Sequence, residues 1–205
     1  MNIKAAPLLV IAVTIALGVS ACGEDDSTAS RDALGNGTDR AFAAEMIPHH
    51  RSAVEMAEIA QKRGVHKEIK DLAAAIISTQ NAEIEQLQGF EQRLEKAGVK
   101  PGDLGMAEHE MGTDTDAAML ADAKPFDREF IDMMIPHHQG AIRMAHVELE
   151  KGESPGLVHL AEAIVDGQSN EIDEMNTWRV DWFGKQSPAG GVPVEGTGAH
   201  SDHDG

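Results

Sequence analysis

One short motif, Met-Ile-Pro-His-His, occurs twice in the chain, at 46–50 and 134–138. Its side chains are metal-ligand types. Neutral imidazole is the commonest protein ligand for transition metals, and thioether sulfur is soft and selects Cu(I). In the first copy Met46, His49, His50, Ala53, Met56 and Ala57 fall at i, i+3, i+4, i+7, i+10 and i+11, one face of a helix. Met134, His137, His138, Ala141, Met144 and Ala145 repeat that face. Histidine combined with methionine points to copper, as Cu(I), before zinc or iron, with another transition metal as the alternative. Pro48 and Pro136 precede the histidines and should kink each helix or free a carbonyl there.

Four imidazoles turned into a protein interior need partners, because unpaired buried polar groups are costly. A metal is one partner. The other is a repeated Gln-x-x-Glu pair, Gln80 with Glu83 and Gln168 with Glu171. Those glutamates either ligate the metal or orient the imidazoles from behind. A second cluster, Met106, His109 and Met111 in GMAEHEMG with Met119 nearby, reads as a possible second metal site or as a plain exposed loop. His200 and His203, beside Asp202 and Asp204, read as part of a solvated tail; His66, His146 and His159 have no histidine counterpart and read as surface or edge residues.

The elements that must position these residues are themselves duplicated. Residues 42–94 align without a gap on 130–182, an offset of 88 residues. FAAEMIPHHRSAVEMA matches FIDMMIPHHQGAIRMA, and LAAAIISTQNAEI matches LAEAIVDGQSNEI. So long a match is a duplication. Each copy predicts two helices joined by a short turn: about Asp39–Arg63 and Lys67–Ala97, then Pro125–Lys151 and a last helix ending near Phe183. Gly64, Gly98 and Gly152 serve as stops, and Ser154-Pro155 as a cap and opening. Apolar residues recur at helical spacing, as at Leu72, Ala73, Ile76, Ile77, Ile84, Leu87 and Leu94, and nothing reads as a strand. The expected fold is all-α: a four-helix bundle from two helical hairpins, with a long crossover at 98–124 holding one short helix near Asp114–Ala123.

Composition limits the function classes. The net charge of −18 argues against nucleic acid and against a polybasic membrane patch, and suits attraction for cations. Aromatics are scarce, whereas methionine and histidine reach ten each. The start has the pattern of a secretory signal: Lys4, an uncharged apolar stretch over 5–19, then Val19-Ser20-Ala21-Cys22. That ending is close to the bacterial lipoprotein signal, which predicts cleavage before Cys22, its acylation, and a membrane-anchored, extracytoplasmic protein. Cys22 is the single cysteine, so no intramolecular disulfide can form. The remaining chain, about 183 residues, is long enough for one domain with a true core. Residues 23–37 read as a flexible tether, 38–184 as the bundle and 185–205 as a disordered tail.

At MMIPHHQGAIRMA (133–145), preceded by FDREF (126–130), the chain resembles the DUF305 family over roughly 38–184. The resemblance implies a ferritin-like helical bundle and, by analogy with some members, extracytoplasmic copper binding linked to copper resistance. It carries over to Met46, His49, His50, Met56, Met134, His137, His138 and Met144. The first copy departs from the second, with Arg51-Ser52 in place of Gln139-Gly140 and Glu45 in place of Met133.

The expected function is a lipid-anchored copper buffer, scavenger or handover protein without catalysis. One rival is a structural or interaction bundle whose His, Gln and Glu only knit the core. Another is an enzyme using a His/Glu acid–base pocket. Di-iron chemistry of the ferritin type needs Glu-x-x-His pairs, and the chain has none.

Overall fold

A computed structural model describes residues 34–112 and 117–193. Cys22, most of the tether, and the tail histidines at 200 and 203 lie outside the described residues. Four long helices carry the fold: α1 (Gly37–Arg63), α2 (Lys67–Lys96), α3 (Phe126–Lys151) and α4 (Pro155–Phe183). The described residues contain no strand. Helix α1 starts two residues before the expected Asp39 because Asn36 caps it. The Asn36 side chain accepts from the Thr38 and Asp39 amides at 2.8 and 3.2 Å, while the Asn36 amide donates back to the Asp39 carboxylate at 2.5 Å. Both α1 and α3 run unbroken through Pro48 and Pro136.

The crossover departs from the expected single short helix. It holds two short 3-10 helices, Glu108–Met111 and Ala117–Asp122, the second falling within the expected 114–123. The first was not anticipated. Ser154 does stand at the start of α4, but its hydroxyl forms no cap. Its backbone amide instead donates to Asp39, far away in sequence, at 2.7 Å.

Within each hairpin the helices pack side by side, and the seam between hairpins is α1 against α3. The duplication is visible in the bonding. Asp39, at the start of α1, accepts from the Glu153 and Ser154 amides in the turn between α3 and α4. Asp127, at the start of α3, accepts from the Val65 and His66 amides, each at 2.9 Å, in the turn between α1 and α2. Every participant has its partner at the 88-residue offset, so each hairpin's first helix clamps the other hairpin's turn. Both aspartates are buried. A buried carboxylate holding two amides satisfies groups that would otherwise be stranded at helix starts.

The apolar interior divides into two clusters. One holds Met56, Ile69, Ile76, Phe130, Met134 and Ile135. The other holds Phe42, Met46, Leu87, Leu94, Met144 and Leu157. Each cluster therefore contains one methionine from each motif.

The expected disordered tail is partly folded. Residues 185–193 turn back over α3 and α4: the Ser187 amide donates to Asn176 at 3.1 Å, and Asn176 donates to the Gly190 carbonyl at 2.8 Å. Gln139 donates to the Ala189 and Gly191 carbonyls at 2.9 and 2.7 Å. Polar composition suggested disorder, but these segment carbonyls find side-chain donors on the bundle. No helix among the described residues is long and apolar enough to cross a membrane.

Candidate metal centre

The helical spacing brings His49 and His50 of α1 opposite His137 and His138 of α3, and all four are at most 1% exposed. His49 and His137 occupy equivalent positions in the two copies and meet across the seam, ring centroids 3.8 Å apart at 38°. The outer rings flank them almost symmetrically: His50 lies 6.2 Å from His49, and His138 lies 6.4 Å from His137, both at 59°. A local two-fold relation thus passes between His49 and His137.

The glutamates of the Gln-x-x-Glu pairs stand behind the outer rings. His138 Nε2 and Glu171 Oε2 form a hydrogen bond of 2.6 Å. His50 Nε2 lies 2.9 Å from Glu83 Oε2, but is not aligned as a hydrogen bond. The glutamines, expected to share this task, do not. Gln80 and Gln168 are buried, yet Gln80 Oε1 and both Gln168 side-chain polar atoms have no hydrogen-bond partner. Helical spacing puts Gln and Glu on one face a turn apart, and only the Glu level reaches an imidazole.

Both ring nitrogens of His49 and of His137, and Nδ1 of His50 and His138, are buried without a hydrogen-bond partner. Burial, then the charges of His50 and His138, push the His49 pKa down from 6.5 to about 3. The Met111 and His137 backbone carbonyls oppose this slightly. His137 is likewise held well below the ordinary imidazole value, first by burial and then by His49 and His138. Both central rings are therefore neutral at pH 7, the form that binds a metal.

Met46, Met56, Met134 and Met144 are buried in the two apolar clusters around this layer. As the rings stand, no three His, Cys, Asp or Glu side chains among the described residues converge on a common ion position. The two central rings lie close together but tilted at 38°. Loading would require ring rotation, completion of the ligand set by thioethers, or both.

The crossover cluster is not a separate loop. Met106 and Met111 are half-buried against the cluster that holds Met144, while His109 and Met119 are exposed. Gly140 allows this seating, because a Cβ there would lie 1.9 Å from the Met111 carbonyl oxygen. Of the unduplicated histidines, His159 is exposed and His146 half-buried. His66 sits at an edge, but its Nδ1 lies 2.6 Å from Asp127, and its ring stacks 3.7 Å from Trp182. Sequence reasoning missed Asp39 and Asp127 as clamps, although their shared offset was a usable signal. It also missed Glu148, fully buried, whose carboxyl is raised to about 9 by burial and then by the neighbouring Asp39 carboxylate.

Residues 39–179 match the family described as "Domain of unknown function (DUF305)". Among solved structures, the chain is similar to "CopM in the Cu(I)-bound form", with 38% identity and a TM-score of 0.61 over 71% of this chain and 98% of that one. CopM has also been solved bound to Cu(II) and to silver. A "putative secreted protein DUF305" from Streptomyces coelicolor matches at 26% identity and TM-score 0.64, over 74% of this chain and 97% of that one. A curated relative, "Uncharacterized protein L153" of Acanthamoeba polyphaga mimivirus, is 39% identical over 51 residues, 25% of this chain and 34% of that protein. The chain thus spans about a third of the length of that relative.

Proposed function

Because the chain belongs to the DUF305 family, we propose that its buried histidine layer binds copper, and that the protein buffers, scavenges or hands on the metal outside the cytoplasm. The observation that carries this reading is the set of unpartnered ring nitrogens on four buried imidazoles. Each such atom costs about 1–3 kcal/mol unless something pairs with it, and a metal is the partner that imidazole and thioether share. A core network of His, Gln and Glu would satisfy the ring nitrogens within the protein, and only the His138–Glu171 hydrogen bond does so here. The copper- and silver-bound forms of CopM support a soft metal as cargo.

In this reading His49 and His137 are the central ligands. His50 and His138 join them, oriented by Glu83 and Glu171. Met46, Met56, Met134 and Met144 supply thioethers from both sides and favour Cu(I). Binding is the whole activity, with no catalytic step. The chain is held at a membrane surface by acylated Cys22, and its acidic surface raises the local concentration of cations.

The test is an anaerobic Cu(I) titration of the full chain against a competing chelator, repeated with His49, His50, His137 and His138 all changed to Ala. Tight binding lost from the variant, with helical content retained, supports the site. A parent that takes no Cu(I) from the chelator overturns it. Globomycin-sensitive processing and radiolabelled-lipid incorporation, both abolished by Cys22→Ala, test the anchor.

A further inference from the structure

The central imidazoles are buried, so metal reaching them must pass through protein, and the two faces of the seam differ. The second motif carries Gly140 where the first carries Ser52. A Cβ at Gly140 would collide with the Met111 carbonyl oxygen at 1.9 Å, and one at Gly112 would lie 2.6 Å from the Pro136 carbonyl and 3.1 Å from His137 Cα. These two glycines let the 3-10 helix Glu108–Met111 rest directly on the second motif. Arg143 fixes it there by donating to the Glu110 carbonyl at 2.8 Å. The Met111 carbonyl faces the His49 ring. The crossover's second 3-10 helix, Ala117–Asp122, also packs on α1 and α3, through Leu120 in the other apolar cluster, but its Met119 is exposed and brings no half-buried sulfur to the seam.

Soft ligands in this segment are graded by depth. His109 is exposed, Met106 and Met111 are half-buried, and His49 and His137 lie beneath. We propose that this crossover segment is the port of the histidine centre: His109 captures Cu(I) at the surface, and Met106 and Met111 pass it inward to His49 and His137. The inference rests on the copper reading above. Transfer is ligand exchange, one thioether or imidazole replacing another on Cu(I), with no change of oxidation state. Thioethers suit the step because they are uncharged, flexible and carry no proton to release. Gly140 and Gly112 act as positioning residues that hold the port against the centre.

The test follows Cu(I) leaving a coloured chelator complex for the full chain, by anaerobic stopped flow. The Met106→Leu/Met111→Leu double variant keeps apolar volume and removes both sulfurs, and His109→Ala alters only an exposed ring. Loading should slow about tenfold in the double variant and about threefold in His109→Ala, while equilibrium affinity changes less than the rate does. Unchanged loading rates in both variants would overturn the port and leave the copper centre standing. A parent that takes up no Cu(I) overturns the copper reading and the port together.

Discussion

The two hairpins share their chemistry and differ in what surrounds it. The Met–His face, the glutamate behind the outer histidine and the clamping aspartate occur in both, at the same offset. The neighbours of those groups do not. Gly140 and Gln139 of the second motif seat the crossover and the folded tail, whereas the first motif has Ser52 and Arg51. Asp127 has His66 beside it; Asp39 has Glu148, where the first hairpin carries Ala60. The duplication therefore preserved a symmetric interior and gave each half its own cover.

The largest break in the comparison should come at the seating of the crossover. Gly140→Ala places a methyl group against backbone that cannot move without lifting the 3-10 helix, and should cost about 2–3 kcal/mol in denaturant unfolding. Ser52→Ala, at the equivalent site, should stay within about 0.5 kcal/mol. Equal costs at the two sites would mean that the crossover does not rest on the second motif.

The aspartate clamps should respond next. Asp127→Asn weakens charge-assisted bonds to two amides and the contact with His66, with an expected loss of about 2 kcal/mol. Asp39→Asn loses similar bonds but also removes a carboxylate from beside Glu148, so its net cost should be smaller. Urea melts of the two variants at one pH decide this, and a larger loss at Asp39 would contradict the account.

The pH dependence sharpens the contrast between interior and clamp. Glu148 is raised from 4.5 to about 9, so between those values the folded chain holds a proton that the unfolded chain releases, and stability falls as pH rises. His49 and His137 work in the other direction. The unfolded imidazoles take up protons below about 6.5 that the folded ones refuse, down to about 3 for His49, so stability falls as pH drops through that window. Two histidines outweigh one glutamate on the acid side, which places the maximum for these three groups near pH 6.5. Each proton contributes a slope of about 1.4 kcal/mol per pH unit at most. Glu148→Gln should flatten the alkaline limb and steepen the acid limb between about 4.5 and 6.5, where the glutamate opposes the histidines. A variant that still loses stability between pH 7 and 9 as the parent does would remove Glu148 from the account.

Much of this was legible in the sequence because the duplication counts every signal twice. Four helices, their turns and the inward His–Met face all follow from apolar spacing and the 88-residue offset. The same offset pairs Asp39 with Asp127, yet one aspartate near a helix start looks like an ordinary capping residue until the opposite turn is seen against it. Gln80 and Gln168 misled because sequence gives the face of a helix but not the level at which a facing side chain reaches it. Met111 and Gly140 were illegible as partners: the crossover is unduplicated, and nothing local announces where a 3-10 helix lands.

The folded tail shows the difference between the hairpins in its mildest form. Gln139 directly follows the second histidine pair and donates to the Ala189 and Gly191 carbonyls, while its counterpart Arg51 is exposed. Asn176 and Ser187 hold the same segment independently, so removing Gln139 should loosen the tail without unfolding the bundle. Gln139→Ala should cost about 1 kcal/mol and speed amide exchange at 187–192, and Arg51→Ala should do neither. The glutamine sits one residue from His138, so the tail is anchored to the motif itself, not to a distant part of α3. If exchange at 187–192 is already unprotected in the parent, the tail does not cover the second motif in solution, and the asymmetry reduces to the crossover alone.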